Sequence, residues 1–132
     1  MSPDREQADL LLRKATEDQA VLTALVPSDT IADAVLGFHA QQAAEKAMKA
    51  VLAAAGVDFP WTHDLQLLLG RLEAAGVEVP EGVSAARRLS PWAVEYRYGE
   101  TIDEALDRPG AAALVNEVLT WASEQVQRQG GE

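Results

Sequence analysis

The chain has 132 residues, a net charge of −10 at pH 7 and no cysteine. Its length fits one domain that buries a core without disulfides, and 48% hydrophobic with 24% charged residues is typical of folded rather than disordered proteins. The lack of cysteine excludes disulfides and thiolate metal sites. The negative charge disfavours RNA as a ligand unless a local basic patch overrides it.

The N-terminal sequence MSPDREQADLLLRKA has no apolar segment behind a basic start, which a secretory signal peptide would show. No apolar run reaches the roughly 18 residues that a membrane-spanning helix needs. We therefore expect a cytoplasmic protein that does not associate with a membrane.

Helical periodicity runs through the first half of the chain. Residues 2–26 carry apolar side chains at helical spacing, and Pro27 is expected to end this helix. The second helix is predicted to start at Ser28 or Asp29 and to end at Gly56. It is apolar nearly all round, which indicates a central helix or one that also meets a second chain. Its small-residue face is formed by Leu36, Ala40, Ala43, Ala44, Ala47, Ala50 and Val51.

The connection after the second helix is expected to be pinned onto the core by Phe59 and Trp61. A third helix is predicted to follow Thr62 as its cap and to end at Gly76. A short helix near 81–89 should stop at Ser90-Pro91.

A brief helix over 91–97 and a final helix over 101–127 complete the predicted elements, and a break near 108–110 is an open alternative. No period of two is sustained, so no sheet is expected. The predicted fold class is all-α: an antiparallel up-and-down helical bundle of four long helices plus a short fifth helix. One domain is expected over 1–128, with a frayed tail at 129–132.

One polar row on the second helix is a candidate site. His39, Gln42 and Lys46 share a ridge by their spacing, and Lys49 extends it by a turn. An imidazole, an amide and two ammonium groups suit a phosphate or a carboxylate. The alternative is a solvated stripe with a Glu45–Lys49 ion pair.

Two further positions are candidates for ligand binding. His63 lies at the start of the third helix, where backbone N–H groups favour anions, although local hydrogen bonds would also explain it. Arg97 stands between Tyr96 and Tyr98, an arrangement that suits a phosphate or an aromatic base. Pairing of Arg97 with a neighbouring glutamate is the alternative.

The motifs of several enzyme classes are absent from the sequence. It has no GxGxxG, GxxxxGK[ST], HExxH, Glu-x-x-His or GxSxG pattern. Two histidines and no cysteine also make a poor zinc site. We therefore expect neither a bound metal nor a cofactor.

Three blocks in order, GFHAQQAAEKAMKAVLAAAG, PWTHDLQLLL and LSPWAVEYRYGE, resemble the HEPN domain (higher eukaryotes and prokaryotes nucleotide-binding domain). The opening LLRKATED, residues 11–18, fits as well. The resemblance covers nearly the whole chain. The matching positions are His39, Gln41, Gln42, Glu45, Lys46 and Lys49 in the first block, Thr62, His63, Asp64 and Leu65 in the second, and Arg97 and Tyr98 in the third.

The resemblance implies a helical bundle that is usually dimeric and is often encoded beside a minimal nucleotidyltransferase in a toxin–antitoxin-like pair. Many such proteins are metal-independent ribonucleases that use an arginine followed four to six residues later by a histidine. No arginine of this chain has a histidine at that spacing. The chain thus resembles the subfamily without the ribonuclease motif.

The resulting hypothesis is a non-catalytic bundle that binds a nucleotide or phosphate-bearing ligand, a minimal nucleotidyltransferase partner, or both. One alternative is a ribonuclease with displaced catalytic residues, and another is a ligand-free adaptor in which the polar residues fix helix packing. The ligand cleft requires the segments around Gln42, Asp64 and Arg97 to meet. Its predicted residues are His39, Gln42, Lys46, Lys49, His63, Arg97 and Tyr98.

Overall fold

A computed structural model describes residues 3–93 and 105–130, and this part of the chain contains helices and no strand. The all-α prediction is confirmed. The helices are α1 (Pro3–Leu25), α2 (Asp33–Ala54), α3 (Leu65–Ala74), α4 (Glu81–Ser84), a 3₁₀ helix (Ala85–Trp92) and α5 (Arg108–Gly130).

The C-terminal ends of α2 and α3 lie next to the predicted glycines. The N-terminal starts of both helices differ from the prediction, because the predicted residues do not cap them. Gly56 and Gly76 have φ values of 72° and 80°, the left-handed conformation that ends a helix and that glycine adopts without steric cost. Ser28 does not cap α2, because its hydroxyl accepts the backbone N–H groups of Thr30 and Ile31 in a turn. The helix therefore starts later than predicted, at Asp33.

The cap of α3 is Asp64 rather than the predicted Thr62. The Asp64 carboxylate accepts the backbone N–H groups of Gln66 and Leu67. The Thr62 hydroxyl instead accepts the N–H of Asp64 at 3.0 Å. Thr62 thus shapes the turn before the helix, and the carboxylate satisfies the first free N–H groups.

The predicted boundaries in the last third of the chain are wrong in two places. Pro91 does not separate two helices but lies inside the 3₁₀ helix. Residues 105–107 are not helical, so α5 is not a continuous helix from residue 101. It starts at Arg108, and the Asp107 carboxylate accepts the N–H of Gly110 as an N-cap would. The helix continues to Gly130, beyond the predicted end at 127.

Three long helices of 23, 22 and 23 residues are described, where four were expected. The third helix has only ten residues, since it begins at Leu65 after its cap Asp64 and its last residue, Ala74, precedes the turn at Gly76. Arg5 near the start of α1 donates to the carbonyl of Val126 near the end of α5, so these two helices run in opposite directions. Asp33 and Arg108, the first residues of α2 and α5, are in contact, so these two helices begin at the same end.

The core is organised around α2, which packs against α1, α3, α5 and the 3₁₀ helix. Every residue of its predicted small-residue face is fully buried. Gly37 lies against the Trp92 ring so closely that a Cβ atom there would be 2.4 Å from it. The central position predicted for this helix is confirmed. None of the helices in the described ranges is long and apolar enough to cross a membrane.

Candidate functional site

Five of the seven predicted ligand-binding residues lie in the described part of the chain: His39, Gln42, Lys46, Lys49 and His63. Arg97 and Tyr98 lie outside the described residues. The side-chain amide of Gln41 donates to the carbonyl of His63 at 3.0 Å, so α2 and the residues before α3 do meet. The structure brings together two of the three segments that the predicted cleft requires.

A first polar cluster, here the Asp18 cluster, joins α1 to α2 and consists of Asp18, His39 and Lys46. Lys46 Nζ lies 2.6 Å from Asp18 Oδ2, and His39 Nδ1 lies 2.9 Å from Asp18 Oδ1. The Asp18 side chain is only 11% exposed, whereas those of His39 and Lys46 are 23% and 27% exposed. The His39 and Lys46 side chains therefore both pair with one buried carboxylate.

A second cluster, here the Glu45 cluster, joins α2 to the start of α3 and consists of Gln41, Gln42, Glu45, Lys49 and His63. Glu45 Oε1 accepts from Gln41 at 3.0 Å and lies 2.8 Å from His63 Nδ1, while Glu45 Oε2 accepts from Lys49 at 3.0 Å. Gln42 donates to the side-chain oxygen of Gln41 at 2.8 Å. Glu45 is the common acceptor, and its side chain is 5% exposed.

Two aromatic rings lie close to the Lys49 ammonium. Lys49 Nζ lies 5.8 Å from the centroid of Phe59 and 5.5 Å from that of Trp61, within the range of cation–π attraction. Phe59 packs against the core as predicted. The same prediction is wrong for Trp61, which is 91% exposed.

The start of α3 does not offer free N–H groups to an anion. The Asp64 carboxylate already accepts two of them, and its charge complements the positive end of the helix dipole. The predicted explanation for His63, a local hydrogen bond, is also not the one found, because its partner is Glu45 on another helix. The side chain of His63 is nevertheless 49% exposed.

A third polar contact lies at the N-terminal start of α2. Arg108 Nε lies 2.8 Å from Asp33 Oδ1, and the Arg108 guanidinium also donates to the carbonyls of Ser28 and Ile31. The hydrogen bond from Arg108 holds the pKa of the Asp33 carboxyl below its usual value, and burial opposes this shift only in part. The loop between α1 and α2 is thereby fixed to the start of α5.

Comparison with known proteins identifies the family. A family model described as the HEPN domain matches residues 8–126. The chain belongs to the HEPN domain family. Neither a search of curated proteins nor a search of solved structures gave a significant match.

Within this HEPN domain the predicted polar ridge does not act as one unit. At 100° per residue, His39 and Lys46 lie only about 20° apart on α2, while Gln42 is about 60° from His39. The first two therefore face α1 and Asp18, and Gln42 turns toward Gln41. The alternative of a Glu45–Lys49 ion pair has the right partners, but it was predicted to be solvent-exposed and both side chains are buried.

The HEPN domain also contains residues that the sequence analysis did not select. Asp18 and Glu45 were part of the family pattern, yet neither was predicted as the centre of a cluster. Gln41 is completely buried, and its amide ties the two segments together. For Gln41 and Glu45 the signal was a polar residue on an otherwise apolar helix, whereas the role of Asp18 on the polar helix α1 becomes visible only when α2 is placed beside it.

No group of three or more histidine, aspartate or glutamate side chains within 3–93 and 105–130 is arranged to hold a metal ion. A cavity of about 570 Å³ lies between the 3₁₀ helix and the start of α5, where Arg88, Trp92 and Leu106 line it. None of the five predicted site residues within the described ranges lines this cavity. What the two clusters do chemically is to neutralise cations and satisfy buried amides.

Proposed function

We propose that this HEPN domain is a non-catalytic interaction module that binds a protein partner, and that the partner is a minimal nucleotidyltransferase in a toxin–antitoxin-like pair. One observation carries the proposal. Each lysine of the predicted phosphate-binding ridge is already paired with a buried carboxylate, Lys46 with Asp18 and Lys49 with Glu45.

This pairing favours a protein over a phosphate as the bound molecule. A phosphate would have to displace a carboxylate that is 5% or 11% exposed and would leave its charge buried without a partner, which costs several kcal/mol. The net charge of −10 adds long-range repulsion of polyanions. A protein surface of opposite charge meets neither obstacle.

The decisive experiment is co-expression with the minimal nucleotidyltransferase of the same genome, followed by size-exclusion chromatography with light scattering. We expect one complex that contains both chains and survives dilution to micromolar concentration. Two separate peaks at that concentration would contradict the proposal. The same measurement on the HEPN chain alone tests the homodimer that the family suggests, and a strict monomer would count against it.

The non-catalytic part of the proposal has its own test. A labelled RNA incubated with the purified chain in the absence of metal should remain intact. Cleavage that is lost in His39→Ala or His63→Ala would show that the chain is a ribonuclease with displaced catalytic residues. Cleavage that is equal in both variants and in the wild type would point to a contaminating nuclease.

A nucleotide or another phosphate-bearing ligand is the second candidate, and one observation favours it. His63 is the most exposed of the five described candidates, and the open indole of Trp61 lies 6.2 Å from its ring. Titration with ATP or GTP should then quench tryptophan fluorescence. Arg97→Ala should weaken the effect, with exposed Arg128→Ala as the matched control. Equal quenching in both variants would remove Arg97 from the site.

A further inference from the structure

Trp61 is the feature of this surface that the internal contacts explain least. It is 91% exposed, while Trp92 and Trp121 are 8% and 6% exposed. An indole in water forgoes about 1.5–3 kcal/mol that burial of a large apolar side chain provides. A side chain of this kind is characteristic of the few anchor residues that dominate protein interfaces.

The Trp61 ring is held in place although it is exposed. Lys49 Nζ lies 5.5 Å from its centroid, and the His63 ring contacts it edge to face at 6.2 Å. Pro60 restricts the backbone before it. Lys49 in turn donates to Glu45, so the Glu45 cluster contacts the Trp61 ring through Lys49 and His63. An orientation set in advance reduces the entropy lost on binding.

The charges around Trp61 indicate the sign of the partner. Asp58 and Asp64 lie three residues to either side and are both exposed. Glu45 neutralises the charge of Lys49. Arg71 donates from its guanidinium to the backbone carbonyl of Asp58, and its charge balances that of one of the two carboxylates. One negative charge remains uncompensated near Trp61, so this surface attracts cations, and the net charge of −10 adds to that attraction at long range.

We propose that the segment Asp58–Asp64, with Trp61 at its centre, is the docking surface for an arginine-bearing segment of the partner protein. A planar guanidinium stacks on the open indole face and reaches the carboxylate of Asp58 or Asp64. Lysine fits less well, because its ammonium is a point charge that does not stack. This assignment rests on the proposed partner-binding function and adds the surface and the chemistry that would recognise it.

Two other occupants fit the charges poorly. A second copy of the chain would bring its own net charge of −10 to the same surface. A single-stranded nucleic acid would stack its bases on Trp61, but its phosphates would meet Asp58 and Asp64. Both are outcomes that the experiment separates from the proposal.

The test uses the full chain and capped, fluorescein-labelled hexapeptides that alternate glycine with arginine, lysine or glutamate. Binding is measured by fluorescence anisotropy at low and at physiological salt. We expect the arginine peptide to bind most tightly, and Trp61→Ala to weaken it by about threefold to fivefold. Trp61 is exposed, so this variant keeps the fold. Leu67→Ala, a change at a side chain that is 37% exposed one turn into α3, should leave the affinity unchanged.

A charge-only variant sharpens the test. The double change Asp58→Asn and Asp64→Asn should weaken the arginine peptide by a similar factor and reduce its salt dependence, because asparagine keeps the helix cap but not the charge. Equal affinity for the arginine peptide in the wild type and in Trp61→Ala would overturn the proposal. So would tighter binding of a labelled oligonucleotide than of the arginine peptide, or self-association of the chain that Trp61→Ala abolishes.

The nucleotidyltransferase complex distinguishes failure of the surface from failure of the partner. If the wild-type chain forms no complex while the arginine peptide still requires Trp61, the proposed partner is wrong and the surface stands. If the complex forms equally well with wild type and Trp61→Ala, the partner is right and the surface is wrong. Weakening of the complex by Trp61→Ala, with Leu67→Ala unchanged, supports both.

Discussion

The Asp18 cluster and the Glu45 cluster both include side chains of α2, and both surround a buried carboxylate with polar partners, but they differ in how exposed those partners are. In each cluster a lysine and a histidine surround one carboxylate, which belongs to Asp18 of α1 or to Glu45 of α2. Asp18 receives two groups whose side chains are 23% and 27% exposed. Glu45 receives a lysine that is 10% exposed, a half-exposed histidine and a completely buried glutamine.

The two clusters therefore differ in how far water reaches the partners of the carboxylate. In the Asp18 cluster, water reaches both the lysine and the histidine, so the Asp18–Lys46 contact is a partly shielded ion pair between two helices. In the Glu45 cluster, the amides and the ammonium have no comparable access to water, and removal of the carboxylate would leave several buried groups unsatisfied. The Glu45 cluster should therefore contribute more to stability, and it also supports the segment that carries Trp61.

The largest expected effect comes from removal of the two carboxylates. Glu45→Ala should lower the free energy of unfolding by about 3–5 kcal/mol, because it leaves the Lys49 ammonium without its carboxylate and removes one of the two acceptors of the buried Gln41 amide. Asp18→Ala should cost less, about 1–3 kcal/mol, because His39 and Lys46 can turn toward water. Urea unfolding followed by circular dichroism measures both.

The matched control for this pair is Glu17→Ala, next to Asp18 in α1, where the side chain is 68% exposed. It should change the free energy of unfolding by no more than about 0.5 kcal/mol. An equal loss in Glu45→Ala and Asp18→Ala, or a larger loss in Asp18→Ala, would show that burial does not separate the two clusters.

The two lysines give a second, smaller contrast. Lys49→Ala should lower the free energy of unfolding by about 2–3 kcal/mol, because it uncovers a buried carboxylate and removes the cation from the faces of Phe59 and Trp61. Lys46→Ala should cost about 1–2 kcal/mol, because Asp18 keeps His39. Thermal melting detects both, and Lys49→Ala should also change the acrylamide quenching of Trp61.

The lysine pair also bears on how ligand binding can be tested. Lys46→Ala is a poor probe of a phosphate site, because the Lys46 side chain is not free. Because it is paired with Asp18, a loss of binding in this variant would mix ligand contacts with stability. A melting temperature that falls further in Lys49→Ala than in Lys46→Ala would support the greater contribution of the Glu45 cluster, and an equal fall in both would contradict it.

The helices were predictable because the period of the apolar residues in α1, α2, α3 and α5 depends on local sequence alone. The glycine stops at Gly56 and Gly76 were predictable for the same reason. The helix starts were harder, because Ser28, Thr62 and Asp64 all have capping side chains, and only the observed turn shows which N–H group each of them accepts.

The polar clusters could be predicted only in part. Glu45 and Lys49 are four residues apart, so their pairing followed from helix geometry. Asp18 lies 21 and 28 residues from its partners His39 and Lys46, and no local pattern specifies that contact. The same limit applies to Arg108, whose acceptors Asp33 and Ile31 are more than 70 residues away in sequence. These contacts depend on how the helices pack, which a periodic pattern does not determine.

The smallest expected effect concerns a third carboxylate, at the start of α2, and it depends on pH. Because Arg108 lowers the pKa of Asp33 in the folded state, the ionised carboxylate adds stability at neutral pH. That contribution is present above the unfolded value of about 4 and is lost as the pH falls through the folded pKa. Asp33→Asn should therefore cost about 1 kcal/mol at pH 7, since the side chain is partly exposed, and the difference from wild type should shrink below pH 4.

Urea unfolding of wild type and Asp33→Asn from pH 3 to pH 7 measures this difference, with exposed Asp29→Asn as the neighbouring control. A gap between wild type and Asp33→Asn that stays constant down to pH 3 would contradict the role of the ionised pair. A gap at pH 7 as large as that of Glu45→Ala would break the wider comparison, because the Asp33 side chain is 31% exposed and the Glu45 side chain 5%. In that case, burial would not explain the order of the three carboxylates in their contribution to the free energy of unfolding.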